Sequence, residues 1–329
     1  MTSNTLILPR PGSSLPTETP TPIKAPSEST FTSKFGQLLP KATYIETPIG
    51  RIAYYSLPPK QNQQLNQDGR DSISRVLFIH GVQTPAIGLY PLAHELSTRF
   101  PATHCVLVDL WGHGLSDTPI LPHSTSLFHS LLTTVLDTLS WDAAHVLGYS
   151  FGGSTAASFT AQWPERVKSM VLIAPAGLVR FEGFSSTEQK YLVGGNGVEE
   201  EAGKWVIEWL EGGELVVPND WEERVANGEV VAEAVRDWEM KVHEGHMASV
   251  VGIVRDGGVW GKHAEFMAAA KTGVPGFCVL GELDDLCSVQ DLEDVEMRNV
   301  AVVSEVGHGV VRQRVSEVAS LVEEFWSSL

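Results

Sequence analysis

The sequence has few cysteines, few basic residues and no long apolar run. It contains 3 cysteines among 329 residues and no CxxC pair. The count is odd, and Cys105 and Cys278 lie in apolar, strand-like runs where a free thiol packs as a small hydrophobe, which fits a reducing compartment. The apolar run Leu6-Ile7-Leu8 is too short for the core of a signal peptide, and no stretch is long enough to span a bilayer. We therefore expect a cytoplasmic protein without a membrane span.

Basic residues are outnumbered, with 23 Lys and Arg against 40 Asp and Glu, so the formal net charge is -17. A surface of this sign repels phosphate backbones and anionic headgroups, so we expect no nucleic-acid partner. The chain also lacks a dinucleotide fingerprint and a P-loop, and His243-Glu-Gly-His246 has the wrong spacing for the H-E-x-x-H zinc site. We expect no cofactor and no metal, and we predict that His243 and His246 lie at a solvated helix end.

Polar segments interrupt an otherwise globular composition. The chain is 43% hydrophobic, which is enough to bury a large core in one big domain or in one domain with an insertion. Residues 1–40 are dominated by a stretch rich in Pro, Ser and Thr and poor in large apolar side chains, which predicts a disordered tail. Residues 61–71, with the sequence QNQQLNQDGRD, predict a loop.

Strand and helix signals alternate after the tail. Residues 42–47 and 51–56 predict a hairpin, and short apolar strands then alternate with helices. Apolar strands separated by helices imply a parallel sheet that is covered on both faces. We therefore predict an α/β fold with a mostly parallel central sheet flanked by helices. The strands predicted after the hairpin are 76–79, 105–108, 144–147, 167–174, 276–280 and 300–303, and the helices are 90–100, 127–139, 151–162 and one at the C-terminus.

A helical, acidic and Trp-rich segment, residues 179–272, interrupts this alternation and predicts an inserted helical cap. The core is then formed by residues 41–178 and 273–329. Trp205 and Trp209 share a helix face and could line an apolar pocket, although packing of the cap on the core is the commoner role of aromatic side chains. The segment holds five of the 9 Trp of the chain, namely Trp205, Trp209, Trp221, Trp238 and Trp260.

The pattern G-x-S-x-G occurs at Gly148-Tyr-Ser-Phe-Gly152, between a predicted strand and a predicted helix. In this context the glycines allow a tight turn that holds the serine strained with its hydroxyl exposed, and the helix directs its positive end towards it. The pattern alone often arises by chance. Its position between a strand and a helix makes Ser150 our candidate nucleophile.

A serine needs a base to take its proton, and the chain has 11 His. His308 directly follows the predicted strand 300–303, so it lies at the edge of the sheet where the turn of Ser150 also opens. His113 has a rival claim because it too follows a strand, but it lies between two glycines in a loop that we interpret as structural. The base in turn needs a carboxylate partner, and Asp284 and Asp285 both follow the predicted strand 276–280.

Two backbone amides are the candidate donors to the oxyanion of a tetrahedral intermediate. One is the N–H of Phe151, the residue after the nucleophile. The other is the N–H of Val82, in the loop that follows the predicted strand 76–79. The side chain of Gln83 could add a contact there.

Together these residues resemble the α/β-hydrolase superfamily, from about Tyr44 to the C-terminus. The resemblance implies the order Ser, Asp, His along the chain, and it favours Asp284 over Asp285 because Asp284 completes a G-x-x-D motif. It also implies that the loop 109–116 is mainly structural, so the side chains of that loop stay outside the candidate site. The matching segments are His80-Gly81, Asp109-Leu-Trp-Gly-His-Gly-Leu-Ser116, Gly281-Glu-Leu-Asp284 and Gly307-His308.

Two details of the resemblance bear on the reaction. Many relatives carry a proline soon after the HG pair, whereas this chain continues Val82-Gln-Thr-Pro85, so the shape of its oxyanion loop departs from the family pattern. Epoxide hydrolases and haloalkane dehalogenases of this superfamily use aspartate at the position of Ser150. The serine therefore disfavours those two reactions.

The sequence thus predicts a serine hydrolase that cleaves a carboxylic ester, a lactone or a thioester through an acyl-enzyme on Ser150, with His308 and Asp284 as partners. The expected substrate is a small molecule with an apolar or aromatic acyl group. The sequence is compatible with a homo-oligomer. Two alternatives remain. One is hydrolysis of a carbon–carbon bond in a β-diketone-like substrate, which resembling enzymes catalyse with the same three residues, and the other is a small-molecule receptor on a retained hydrolase scaffold.

Overall fold

A computed structural model describes residues 6–13, 20–60, 73–195 and 197–329. The predicted loop over 61–71 lies outside the described residues, as do positions 1–5 and 14–19 of the predicted tail. The described residues form one sheet of 8 strands. These are β1 (Thr43–Thr47), β2 (Gly50–Leu57), β3 (Arg75–Ile79), β4 (His104–Val108), β5 (Ala144–Tyr149), β6 (Val167–Ile173), β7 (Gly276–Gly281) and β8 (Val300–Val303).

The strand order is β1-β2-β4-β3-β5-β6-β7-β8. The pairings of β2 with β1 and with β4 are antiparallel, and all the others are parallel. The predicted hairpin and the predicted strands are therefore present, and the predicted α/β class with a mostly parallel sheet is confirmed. Because β3 to β8 run parallel, the loops after their carboxyl ends meet at one edge of the sheet, where ligands bind in open α/β sheets.

Both faces of the sheet are buried, which explains the continuous apolar strands. In β3, Leu77 and Ile79 belong to the hydrophobic cluster on one face, whereas Val76 and Phe78 belong to the cluster on the other. All four side chains are completely buried. A sheet that is covered on both faces has no polar positions to alternate with apolar ones.

Helices cover the two faces. Helices α2 and α13 pack against each other on one face, and α3, α4 and α10 lie on the opposite face. The helices are α1 (Glu28–Phe35), α2 (Tyr90–Arg99), α3 (Thr125–Thr138), α4 (Phe151–Gln162), α5 (Ser186–Val193), α6 (Glu199–Glu211), α7 (Trp221–Ala226), α8 (Ala232–Val242), α9 (His246–Gly252), α10 (His263–Ala270), α11 (Val289–Asp294), α12 (Val310–Gln313) and α13 (Val315–Ser327).

The region predicted as a cap lies between β6 and β7 and contains α5 to α10. The last of these helices, α10, packs against the core helix α4. It therefore covers the sheet, as a crossover helix between two parallel strands does. The division of the chain into a core and a cap over residues 179–272 stays a prediction.

Part of the predicted disordered tail is a helix, so the prediction is wrong for residues 28–35. The side chain of Ser27 caps α1 by accepting a hydrogen bond from the amide of Thr30. Phe31 and Phe35 are buried, and the ring centroids of Phe31 and Trp238 are 5.4 Å apart in an edge-on contact. The helix is stable because its two phenylalanines, four residues apart, pack on a tryptophan about 200 residues away in the chain.

The cysteines are buried, as the apolar runs around Cys105 and Cys278 predict, and all three are free. Burial raises the pKa of the Cys278 thiol to about 12, so it stays protonated and unreactive at neutral pH. Among the described residues, no helix combines the length and the apolar character needed to cross a bilayer.

Candidate active site

Ser150 occupies the tight turn between β5 and α4. Its backbone has φ 54° and ψ -121°, a conformation that residues with a side chain rarely adopt and that marks functional sites. The flanking glycines are required by close contact. A Cβ atom at Gly148 would lie 2.1 Å from the carbonyl oxygen of Gly152, and a Cβ atom at Gly152 would lie 2.0 Å from that of Ile79. The strained turn that carries Ser150 therefore requires both glycines of the motif.

Three candidate side chains lie in one hydrogen-bonded row. Nε2 of His308 is 2.9 Å from Oγ of Ser150, and Nδ1 of His308 is 3.0 Å from Oδ2 of Asp284. The Asp284 side chain is fully buried, whereas 34% of the His308 side chain is exposed to solvent. A serine, an imidazole and a buried carboxylate in this order can pass a proton from the hydroxyl to the ring and stabilise the imidazolium that results.

Asp285 lies apart from this row. It is exposed and lines the cavity described below. The carboxylate of Asp284 also accepts a hydrogen bond from the amide of Leu286, at 3.0 Å, and this bond fixes the turn that directs Asp284 inward and its neighbour outward. The geometry thus favours Asp284 as the partner of the histidine.

Tyr149 is a residue of the site that the sequence analysis did not select. Its hydroxyl donates a hydrogen bond of 3.1 Å to the backbone carbonyl of His308, and the two rings lie 5.3 Å apart. The bond ties the histidine loop to the end of β5. The only signal in the sequence is that Tyr149 immediately precedes the candidate nucleophile.

The two candidate oxyanion donors, Val82 and Phe151, both line the cavity next to Ser150. In the described part of the chain, neither amide N–H donates to a protein acceptor, so both are available to a ligand. The loop of Val82 approaches the nucleophile closely, because a Cβ atom at Gly81 would lie 2.9 Å from Cβ of Ser150. Both candidate donors therefore lie next to the nucleophile.

The loop 109–116 supports the loop of Val82 from behind, as its implied structural role requires. The buried carboxylate of Asp109 accepts hydrogen bonds from the amides of Ala86 and Leu115 and from the hydroxyl of Tyr55, at 2.9, 2.9 and 2.7 Å. Burial raises the pKa of Asp109 to about 6 against the effect of these bonds. The carboxylate therefore joins the two loops.

A cavity of about 570 Å³ opens beside Ser150 and His308. Phe184, Trp209 and Leu210 from the inserted segment form part of its apolar wall. Trp205 stacks on Trp209, with ring centroids 6.0 Å apart. The cavity is large enough for a small organic ligand that places a carbonyl group next to Ser150.

The remaining tryptophans of the inserted segment pack the structure together. Trp221 and Trp238 contact Phe35 of α1. Trp260 lies against Phe181 and donates its indole N–H to a backbone carbonyl. Packing is therefore the role of most of these rings, as predicted, and Trp209 is the one of the five that lines the cavity.

The prediction that His243 and His246 lie at a solvated helix end is wrong. Both are buried, and hydrogen bonds to the loop 109–116 satisfy one nitrogen of each ring: His243 contacts the carbonyl of Ser116 at 3.0 Å and His246 that of Gly112 at 2.9 Å. Burial lowers the pKa of His246 to about 3, so its ring is neutral. The described residues contain no group of three or more His, Cys, Asp or Glu side chains arranged to hold a metal ion.

Comparison with known proteins adds sequence relatives. Residues 74–211 match the family model of the α/β hydrolase fold. The 2-(acetamidomethylene)succinate hydrolase of Mesorhizobium japonicum is 28% identical over 130 residues, which are 40% of this chain and 46% of the relative. The 2-hydroxy-6-oxononadienedioate/2-hydroxy-6-oxononatrienedioate hydrolase of Klebsiella pneumoniae is 34% identical over 108 residues, 32% of this chain and 36% of the relative. The matches span less than half the length of these relatives.

A solved structure extends the likeness to most of the chain. The enol-lactonase from Burkholderia xenovorans superimposes with a TM-score of 0.61 and 17% identity, over 87% of this chain and 100% of that one. At this identity the likeness concerns the fold. The family match over residues 74–211, the strand order and the strained serine turn agree with one another, and the chain has the α/β-hydrolase fold.

Proposed function

We propose that this protein is a serine hydrolase that cleaves a carboxylic ester or lactone through an acyl-enzyme on Ser150. The observation that carries the proposal is the row of Ser150, His308 and Asp284, with separations of 2.9 and 3.0 Å. A thioester undergoes the same chemistry, since only the leaving atom differs. The α/β core, the inserted helices and the site are each consistent with this reaction.

Acylation begins when Nε2 of His308 takes the proton of the Ser150 hydroxyl as Oγ attacks the substrate carbonyl. The carbonyl oxygen becomes an oxyanion, which the amides of Val82 and Phe151 stabilise by hydrogen bonding. The C–O bond to the leaving group then breaks, and His308 gives its proton to the departing oxygen. Asp284 keeps the ring in the required tautomer and stabilises its charged form.

Deacylation repeats these steps with water in place of the serine. His308 takes a proton from a water molecule that attacks the acyl carbon, and the same two amides bind the second oxyanion. The bond to Oγ breaks, His308 returns the proton to Ser150, and the carboxylic acid leaves. In a lactone the leaving alcohol stays attached to the acyl group, so a single hydroxy acid is the product.

The cavity favours a substrate whose acyl part is apolar and uncharged. Its walls are mainly apolar and aromatic, and its charged lining consists of Glu188, Glu211 and Asp285, with no Lys or Arg among the described lining residues. Arg236 lies 3.0 Å from Glu211 and compensates that charge. The other two carboxylates would repel an anionic substrate.

Hydrolysis of a carbon–carbon bond is the second candidate, because resembling enzymes catalyse it with the same three residues. The Klebsiella relative is named a 2-hydroxy-6-oxononadienedioate/2-hydroxy-6-oxononatrienedioate hydrolase. The name denotes a dicarboxylate. The carboxylates in the cavity lining of this chain disfavour a doubly anionic ligand, so we rank ester or lactone cleavage first. A β-diketone without carboxylates remains compatible with the cavity.

Labelling with a fluorophosphonate probe tests the activated serine directly, with the adduct mapped by mass spectrometry. The chain supplies a matched control, because Ser158 also has a histidine at 2.9 Å, namely His129. The second nitrogen of His129 contacts the amide oxygen of Gln162 and no carboxylate, and Ser158 lies within α4, away from any strained turn. Ser158 therefore lacks the features that activate Ser150.

The expected result is one adduct on Ser150 in the wild type and in Ser158→Ala, and none in Ser150→Ala. Folded wild-type protein that takes up no probe, or that carries it on another residue, would contradict the proposal. Unlabelled wild-type enzyme is then screened with neutral aryl esters, lactones, thioesters and β-diketones. Turnover of the diketones alone would replace the first candidate by the second.

A further inference from the structure

The loop that carries Val82 contains an unusual turn at the next residue. Gln83 has a φ of 69°, in the left-handed region that residues with a side chain rarely adopt. The amide of Thr84 donates to the carbonyl of Val82 at 2.9 Å, which closes a three-residue turn around Gln83. A γ-turn with a positive central φ is the rarer and more strained of the two γ-turn forms. Such a turn persists only where its surroundings hold it.

His113 supplies the contact that holds this turn. The amide N–H of Gln83 donates to Nε2 of His113 at 3.1 Å, so Nε2 must present its lone pair. The ring proton is then on Nδ1, which lies 3.1 Å from the carbonyl oxygen of Trp111. Both ring nitrogens of His113 are occupied, and they define one tautomer.

The inserted segment fixes His113 in turn. The His246 ring packs edge-on against it, with centroids 4.7 Å apart, and Nδ1 of His246 is 2.9 Å from the carbonyl oxygen of Gly112. On the other side of His113, the amide of Gly114 donates to the buried carboxylate of Glu239. Burial, with smaller contributions from His246 and His80, lowers the pKa of His113 well below its ordinary value. The acceptor nitrogen is therefore unprotonated at neutral pH.

The neighbouring peptide plane is held in a comparable way. Nδ1 of His80 lies 2.6 Å from the carbonyl oxygen of Gly81, and that carbonyl shares its peptide plane with the amide of Val82. Nε2 of His80 accepts the amide of Leu110 at 2.9 Å. The residue Val82 thus lies between two fixed peptide planes: His80 holds the plane that contains the Val82 amide, and His113 holds the next one, which contains the Gln83 amide.

We propose that His113 is a positioning residue that keeps the Val82 amide directed at the reacting carbonyl oxygen by holding the strained turn at Gln83. This inference rests on the proposed function, since it assigns Val82 to the oxyanion hole. It gives the loop 109–116 a task in the reaction beyond packing. It also gives the inserted segment a route to the oxyanion hole, through His246 and Glu239.

Two substitutions separate the two contacts of the ring. In His113→Asn the side-chain amide can still donate to Trp111, as Nδ1 does, but it is too short to accept the Gln83 amide. In His113→Gln the longer side chain can place an oxygen near the position of Nε2. His243→Gln is the matched control, because His243 is a buried histidine that contacts the same loop, at Ser116, without touching Gln83.

The readout is the second-order rate constant for labelling of Ser150 by the fluorophosphonate, whose P=O oxygen occupies the oxyanion hole. Loss of one oxyanion donor lowers rates by about 10² to 10³, so a displaced donor in His113→Asn should slow labelling by at least about tenfold. His113→Gln and His243→Gln should stay within about threefold of the wild type. The pH at which labelling reaches half its maximum should be the same in His113→Asn and the wild type, because His308 and Asp284 are unchanged.

Four results would overturn the proposal: no slowing in His113→Asn, equal slowing in the Asn and Gln variants, slowing in His243→Gln as large as in His113→Asn, or a shifted pH dependence. If the Asn variant does not fold, slowing of more than about tenfold in folded His113→Gln relative to His243→Gln would also overturn it, by the same standard for a lost donor. The wild type separates this inference from the proposed function. Absence of an adduct there counts against the serine hydrolase itself, whereas a wild-type adduct with unchanged variants counts only against His113.

Discussion

Asp284 places Oδ2 3.0 Å from Nδ1 of His308, while the adjacent Asp285 is exposed at the wall of the cavity. Two consecutive carboxylates of the same chemistry therefore have different environments. One is buried and paired with the ring, and the other is exposed to solvent. The pair offers a controlled test of the acid, because the same substitution can be made at both positions.

We expect Asp284→Asn to lower kcat by about 10⁴-fold, because an amide donor at Nδ1 would stabilise the wrong tautomer of His308. Asp285→Asn should change kcat by no more than about twofold, as exposed substitutions generally do. Steady-state kinetics on an ester found in the screen provides the comparison. A larger loss at Asp285 than at Asp284 would show that Asp285, and not Asp284, is the acid.

The sequence placed Ser150, His308 and the pair Asp284 and Asp285 after strands whose apolar runs are easily recognised, and the resemblance to the α/β-hydrolase superfamily favoured Asp284 within the pair. Loops after parallel strands meet at one edge of the sheet, so residues far apart in the chain could be placed together without coordinates. The contact between His113 and Gln83 could not be selected in this way. It depends on the tautomer of a ring that is fixed by α8 and α9, and those helices have no fixed position until the tertiary structure is known.

Gly81 tests whether the loop of Val82 must lie against the nucleophile. Its φ is not in the left-handed region, but a Cβ atom there would lie 2.9 Å from Cβ of Ser150, so Gly81→Ala must displace one of the two segments. Displacements of this size at a reacting centre lower rates by about 10²-fold. We expect that loss in kcat/KM with the protein still folded.

Gly203→Ala is the control for Gly81→Ala. Its nearest neighbour would be 3.9 Å from the new methyl group, and Ala is favoured over Gly within a helix such as α6 by about 1 kcal/mol. Activity should be retained and thermal stability unchanged or higher. Equal activity in the two variants would mean that the loop tolerates a shift and that close approach at Gly81 is not required.

The fold was predictable where a segment carries its own pattern and unpredictable where stability comes from distant contacts. Apolar strands such as β3 and β5 are recognisable because each is buried on both faces. Helix α1 is short and lies in a segment rich in Pro, Ser and Thr, so its local composition predicts disorder. Contacts with distant residues such as Trp221 and Trp238, which follow about 200 residues later, make burial of its two phenylalanines favourable.

Phe31→Ala tests whether α1 is part of the folded core. Phe31 is 4% exposed, and removal of a buried phenylalanine side chain costs about 3 to 5 kcal/mol. The free energy of unfolding, measured with urea, should fall by that amount. Ser33→Ala, on the exposed side of the same helix, should change it by less than about 0.5 kcal/mol. Equal stability of the two variants would restore the prediction of a disordered tail.

Buried neutral histidines should make the protein sensitive to mild acid, and His123 is the clearest case. It is completely buried, its Nδ1 contacts the carbonyl oxygen of Leu121, and burial lowers its pKa from 6.5 to about 4. Above pH 6.5 the ring is neutral in both the folded and the unfolded chain. As the pH falls from 6.5 to about 4, the unfolded chain takes up a proton that the folded protein does not, so stability is lost over that window.

His123→Asn removes this titration while an amide can still donate to Leu121. A lowering from 6.5 to about 4 corresponds to roughly 2 kcal/mol between pH 7 and pH 4.5. Between those two pH values the wild type should therefore lose about 2 kcal/mol more stability than the variant does. The variant itself will be less stable at pH 7, so the test is the difference between the two pH dependences, measured by urea unfolding. As a control, His94→Asn, at an exposed position of α2, should leave the pH dependence of stability as it is in the wild type. Parallel pH dependences for the wild type and His123→Asn would show that burial of the His123 ring carries no proton linkage.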